Sequence, residues 1–300
     1  MITSSSFAKA LYPGVSSWFG MSYNDYESEY TRLFETLTSK RAYEEDVQAI
    51  GLGLARKKPE GESIEFDDMR QGFITRYSHA VFALGFTITR EMVEDDQYGI
   101  IGPKKADALA RSMRYTKELI AANILNRAFD SNYVGGDGKE LCATDHPYFT
   151  GGTWQNELTV AADISEASLE QAVIDIAKWV DERGLKIRVK PVTLHIPVDI
   201  MFDVERLLRT PGRVGTANVD INALDRMGYF KQVYVHQFFT DADAWFIKTD
   251  VKDGLKFYQR RALEFGIDNE FETEAAKFKA TERYSAGWTD PRVLYGSPGA

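Results

Sequence analysis

Apolar and polar positions follow several distinct rhythms along this chain, and each change of rhythm marks an element. From Pro103 to Asp130, Ala106, Leu109, Met113, Ile120, Ile124 and Ala128 recur at roughly helical spacing, with no Gly or Pro after Pro103. The pattern predicts one helix about 40 Å long, at a rise of about 1.5 Å per residue. Pro103 suits its first turn, and Gly135-Gly-Asp-Gly lies beyond its end. A second helix is predicted from the stripe Leu169, Ala172, Val173, Ile176 and Val180, with Ser165 as N-cap and Gly184 as its stop. A third is expected from Pro197 through Leu208, closed by Pro211-Gly212, and a short one from Asn218 to Met227. Strands are expected at Leu185 to Ile196, Val233 to His236, Ala244 to Ile247 and Leu255 to Ala262. In the last strand, Ala276 to Gly287, Phe278, Ala280 and Glu282 alternate with Lys and Arg. Helices and strands mix without a regular βαβ rhythm, which predicts an α+β fold.

The first quarter of the chain is patterned differently. Phe7, Leu11, Tyr12, Trp18, Phe19, Met21, Tyr23 and Tyr26 sit among Ser, Gly and Pro. The expectation is an extended arm, then a helix between Tyr26 and Asp46 carrying Tyr30, Phe34 and Leu37. An exposed arm of this kind is adhesive and marks a contact surface; the same residues also suit a segment packed on its own core, and the pattern favours neither. Next, Arg56-Lys-Lys-Pro-Glu-Gly-Glu makes a charged turn. It is flanked by Ile50-Gly-Leu-Gly-Leu and by the run from Ile64 and Phe66 through Phe73, Tyr77 and Ile88, which predicts a long β-hairpin with a charged tip.

Composition narrows the function. The 300 residues are 44% apolar, enough for a sizeable core. A net charge of -9 argues against a nucleic-acid binder, which needs a basic face. The single cysteine, Cys142, allows no internal disulfide framework and no multi-cysteine zinc site. No signal peptide and no run long enough to span a bilayer is read, so a soluble protein made in the cytoplasm is expected.

Catalytic chemistry is sparse. His79, His146, His195 and His236 form no metal-binding pair, and none lies in an HExxH frame. There is no nucleophile elbow, P-loop or dinucleotide fingerprint. Asp145-His146-Pro147 suggests a base held by a carboxylate, or a capped turn in a Gly-rich loop. The acidic cluster Glu91, Glu94, Asp95 and Asp96 suits a divalent cation or a solvated helix start, and Asp220 and Asp225 have no ligand spacing. No enzyme, metal or cofactor is predicted. A hydrolase using His146 and nearby acids stays as the alternative of a different class.

Several segments carry a family resemblance. They are Tyr77 to Asp96 with the long helix after it, Asp163-Ile-Ser-Glu-Ala-Ser-Leu-Glu, Asp243-Ala-Trp-Phe-Ile, Glu282 to Arg292, and Tyr295-Gly-Ser-Pro-Gly299. Together they resemble the major head subunits of tailed phages, of the Mu-like kind, from about Tyr26 onward. The resemblance implies the Hong Kong 97-type capsid fold, in five parts. These are an N-terminal arm over 1–50, an E-loop hairpin over 51–88, a peripheral domain over 89–164 with its spine helix at 103–130, an axial domain over 165–266, and a C-terminal strand within 267–300 that returns to the peripheral domain.

It implies an icosahedral phage head built from hexamers and pentamers around double-stranded DNA, held without sequence-specific binding, in a virion assembled in the host cytoplasm. A separate scaffold protein and a portal are implied partners, with a decoration protein as a further one and no membrane. Trp18, Phe19, Tyr23, Arg56, Lys57, Lys58, Phe66, Phe73 and Tyr77 are the expected assembly residues. Lys57 and Lys58 are placed to supply the lysine of an intersubunit isopeptide bond, as in some relatives; no motif locates the matching Asn and Glu. An encapsulin-like compartment shares the fold and stays open beside the phage reading.

Overall fold

The computed structural model describes residues 4–25, 27–95, 98–212, 221–230, 232–270 and 272–300, with side chains from Leu11 onward apart from that of Tyr98. Tyr26, Asp96, Asp220 and the side chain of Phe7 therefore lie outside the described residues. In chain order the helices are α1 (Ser4–Asp25), α2 (Tyr30–Leu33), α3 (Arg90–Glu94), α4 (Tyr98–Asn126), α5 (Glu166–Lys178), α6 (Met201–Arg209) and α7 (Ala223–Met227). The strands are β1 (Glu35–Thr38), β2 (Tyr43–Ile50), β3 (Arg70–Ser78), β4 (Ala80–Ile88), β5 (His146–Pro147), β6 (Thr153–Trp154), β7 (Pro191–Pro197), β8 (Gln232–His236), β9 (Trp245–Thr249), β10 (Leu255–Asn269), β11 (Ala276–Trp288) and β12 (Leu294–Ser297). This is the α+β mixture that the rhythms predicted. Two compact units divide the chain: Met1–Glu44, Tyr77–Ala121 and Phe257–Ala286 form the first, and Glu45–Arg76, Ala122–Lys256 and Gly287–Ala300 the second.

The first unit is built on a sheet of order β1-β10-β11-β4. β4 and β11 run antiparallel, in register from Ile88 opposite Ala276 to Ala80 opposite Tyr284. Alternation along β11 puts Ala276, Phe278 and Ala280 into the core and leaves Lys277 and Lys279 exposed. Ala106, Leu109, Ala110 and Met113 of α4 close over the inward face, and so do Leu11, Val15 and Phe19 of α1. These three α1 residues are four apart and form one stripe, so the expected extended arm is instead a 22-residue helix. Its Ser, Gly and Pro content hid the helix, and burial of the stripe outweighs their weak propensity. The expected helix between Tyr26 and Asp46 is likewise corrected. Among the described residues there, only Tyr30–Leu33 is helical, and strands follow.

The second unit carries a sheet of order β12-β9-β7-β8, with β7 parallel to β8 and antiparallel to β9. α5 lays Leu169, Ala172 and Ile176 on a core with Trp245, Ile247, Leu194 and Tyr295. Ser165 caps α5 as expected, in a reciprocal capping box with Ser168. The helix stops earlier than expected, at Lys178. Gly184 serves a separate turn, Asp181 to Gly184, where its φ of 78° suits glycine. Trp179 and Trp245 bury their rings and donate their indole N–H groups to the carbonyls of Gln155 and Ala162, at 2.9 and 3.1 Å.

Candidate assembly surfaces

β2 and β3 form a separate two-stranded sheet in the second unit. The expected hairpin therefore exists, but its strands are Tyr43–Ile50 and Arg70–Ser78, and the flanks proposed from sequence belong to the loop between them. Gly72 allows the strands to meet, since a Cβ there would lie 2.9 Å from the Gln48 carbonyl oxygen. β4, expected to continue the hairpin, pairs with β11 instead.

The loop from Gly51 to Met69 contains no regular strand, and every residue of it except Gly53 is exposed. Leu54 is 79% exposed and Phe66 91%, with Leu52, Ile64 and Met69 also well into solvent. Its shape is nonetheless pinned. The Asp67 carboxylate accepts the Gly53 N–H at 2.8 Å and pairs with Arg183, whose guanidinium also donates to the Asp68 carbonyl at 2.9 Å. The Gly53 amide and Arg183 hold the Asp67 carboxyl below its ordinary range. Arg56 faces Glu65 at 3.3 Å across the loop.

The structure divides the expected assembly residues. Arg56, Lys57, Lys58 and Phe66 share this loop and are exposed. Phe73 lies on β3, half-buried, edge-on to Phe149 at 5.7 Å. Tyr77 is buried against Tyr258, with ring centres 4.9 Å apart. Trp18, Phe19 and Tyr23 lie on α1 and pack within their own unit, Phe19 stacking on Phe265 at 4.9 Å. Phe19 and Tyr77 are thus buried within the subunit, each 3% exposed. Leu52, Leu54, Ile64 and Met69 were missed as surface residues. The signal was available as apolar positions alternating with glycine before the Pro-Gly turn and interleaved with acids after it.

A polar network ties α1 into the first unit. The Tyr23 hydroxyl donates to Glu282 at 2.9 Å and receives the Lys117 ammonium at 3.1 Å. Lys117 and Glu282 form an ion pair with side chains 3% and 0% exposed. Arg114 donates to the Tyr23 carbonyl and lies 4.2 Å above its ring. The Glu118 carboxylate accepts the Glu29 and Tyr30 backbone N–H groups. Burial, then the Glu282 charge, pushes the Tyr23 phenol up; burial also raises Glu118.

The catalytic alternative fares differently. Asp145 pairs with Lys139 at 2.5 Å, while His146 faces Asp137 through Nδ1 at 2.7 Å. The other ring nitrogen meets the Asn156 amide oxygen at 3.0 Å, and both His146 and Asn156 are fully buried. That oxygen also accepts the Ala143 N–H, so the amide orientation is fixed and no nitrogen of His146 is left to act as a base. His195 and His236 bond each other ring to ring at 2.8 Å inside the second unit. Among the described residues no group of His, Cys, Asp or Glu is arranged to hold a metal ion. No described helix is long and apolar enough to cross a membrane.

A family model for phage capsid protein matches residues 73–296, which takes in β4, α4, β10, β11, β7 to β9 and all of α5 to α7. The chain belongs to the phage capsid protein family. No curated protein matches this capsid subunit by sequence. Its fold recurs in the capsid of a native GTA particle, at 14% identity and a TM-score of 0.55, covering 92% of each chain. It recurs in the procapsid of bacteriophage JBD30, at 15% identity and a TM-score of 0.52, covering 96% of this chain and 75% of that one. A virus-like particle from Pyrococcus furiosus also shares it, at 10% identity and a TM-score of 0.52, with coverages of 94% and 97%. The architecture is the Hong Kong 97-type capsid fold, and the subunit is a major capsid shell protein.

Proposed function

We propose that this subunit builds the icosahedral head of a tailed phage, of the Mu-like kind, as hexamers and pentamers enclosing double-stranded DNA. The reading is carried by the Gly51–Met69 loop. A pinned loop that holds Phe66 91% exposed beside four other large apolar side chains is poorly satisfied in an isolated molecule. Burying one such side chain against a neighbour contributes about 1.5–3 kcal/mol, and a closed shell repeats the contact at every copy. The axial domain faces the centre of each capsomer, and a separate scaffold protein and a portal complete the assembly in the host cytoplasm. DNA is contained without sequence-specific contacts, in keeping with a net charge of -9. The subunit works by assembly, not by catalysis, which accords with the sealed surroundings of His146. The phage reading is preferred to an encapsulin-like compartment because the family model that matches describes phage capsid protein.

The test is electron microscopy of the full chain produced with its scaffold. Closed shells with five-fold and six-fold capsomers are expected. Monodisperse monomers under every condition would overturn the reading.

A further inference from the structure

A cavity lies within the first unit, between α1, α2, α4 and β10. Its volume is about 500 Å³, inside the span of about 300–1,000 Å³ usual for small-molecule sites. α1 contributes Ser16, Phe19, Gly20, Tyr23 and Asn24. At spacings of three and four these share one face of the helix, with Gly20 at its centre. Glycine weakens a helix interior, and nothing local requires it here. Gly20 keeps an ordinary helical backbone, and a Cβ on it would meet no atom within 4 Å. It therefore holds open a space that a side chain would enter.

Two kinds of wall meet in the cavity. Phe19 and Phe265 stack at 4.9 Å and, with Leu263, form an apolar side. Arg114, Lys117 and Tyr30 supply polar groups. The Lys117 ammonium is already taken, since it pairs with Glu282. Arg114 is not. Its Nε and Nη1 donate to the Tyr23 carbonyl and the Ser28 hydroxyl, both at 2.9 Å, and no carboxylate pairs with it among the described residues. Glu118 is occupied by the Glu29 and Tyr30 backbone N–H groups and does not line the cavity. A guanidinium has five N–H donors, so donors remain for a ligand. Tyr30 is 7% exposed, and its hydroxyl has no hydrogen-bond partner among the described residues. A buried hydroxyl left in this state is costly, and a ligand oxygen would satisfy it. Burial raises that phenol and the Arg114 charge opposes the rise, so cation and hydroxyl stand close enough to act on one group.

We propose that this cavity binds a medium-chain monocarboxylate, with the carboxylate on Arg114 and the Tyr30 hydroxyl and the tail against Phe19, Leu263 and Phe265. One unpaired cation beside apolar walls suits a single charge on an apolar body. A phosphate dianion would keep one charge without a partner. Because α1 forms one wall, the ligand fastens α1 to the sheet. The site belongs to the free subunit and does not depend on the shell reading.

The test is calorimetric titration of the unassembled full chain with sodium octanoate and with octan-1-ol as the uncharged counterpart. Octanoate is expected to bind at one site per subunit and to raise the melting temperature. Octanol is expected to bind at least tenfold more weakly. R114M is expected to lower octanoate affinity at least tenfold and to leave octanol affinity unchanged, a split that mere loosening of α1 would not produce. G20F places a ring in the cavity and is expected to abolish binding of both probes. Absence of octanoate binding by the unmodified chain would overturn the proposal. So would equal losses of the two probes in R114M, or unaltered octanoate binding in G20F. Should R114M unfold the subunit, Y30F is read in its place: a loss of at least threefold for octanoate alone is expected, and an unchanged affinity overturns the proposal.

Discussion

Replacing Lys117 by Met tests how α1 is held. The Lys117 and Glu282 side chains are 3% and 0% exposed, so the variant leaves a carboxylate inside the first unit with only the Tyr23 hydroxyl and the nearby rings around it. Breaking a buried ion pair from one side costs about 3–5 kcal/mol, because the remaining charge has lost water and partner together. Against a typical total of about 5–15 kcal/mol this is a large fraction. It corresponds to a fall in melting temperature of roughly 10 °C. The double variant Lys117→Met/Glu282→Leu removes both charges and fills similar volume. It forfeits chiefly the Tyr23 hydrogen bond, about 1 kcal/mol. The assay is urea unfolding of the unassembled subunit, followed by circular dichroism and by tryptophan fluorescence. The double variant is expected to recover most of the loss. A single variant costing under about 1 kcal/mol, or a double variant as unstable as the single, would refute the claim that a desolvated charge pair anchors α1.

Three further outcomes are expected. Phe66→Ser leaves unfolding of the free subunit unchanged within about 0.5 kcal/mol, since the ring is 91% exposed, yet reduces shell yield in electron micrographs. Gly254→Ala places a Cβ 2.2 Å from that of Val293 and lowers stability by about 1–3 kcal/mol in thermal unfolding; a neutral result would contradict the close approach. Burial, reinforced by Glu140, raises Glu157 from an ordinary 4.5 to about 7. A carboxyl raised on folding stabilises fully below its unfolded pKa, and that contribution is lost as pH rises through the folded one. The subunit is therefore expected to lose stability between about pH 4.5 and 7, and Glu157→Gln is expected to flatten that slope in a pH series of melts.

Periodicity and punctuation were legible wherever an element depends on its own residues. The alternation of β11 is read directly from Ala276 to Gly287, and Ser165 announces the start of α5. For the long helix the stripe was right, while its ends shifted to Tyr98 and Asn126, because end positions depend on what caps and covers the last turns. Order and extent of motifs were enough to place the chain in its family. Features that depend on distant residues were not legible. Leu11, Val15 and Phe19 become a helical stripe only because the sheet and α4 supply an apolar face for them. Glu282 already sat on the core-facing side of the β11 alternation, but its partners, Lys117 and Tyr23, are brought to it by packing. His146 found its carboxylate in Asp137 and not in the adjacent Asp145, since neighbours in an extended segment point apart. Local patterns set which face of an element is apolar. Only tertiary packing decides what covers that face and which side chains stay in water, because burial is a property shared between elements.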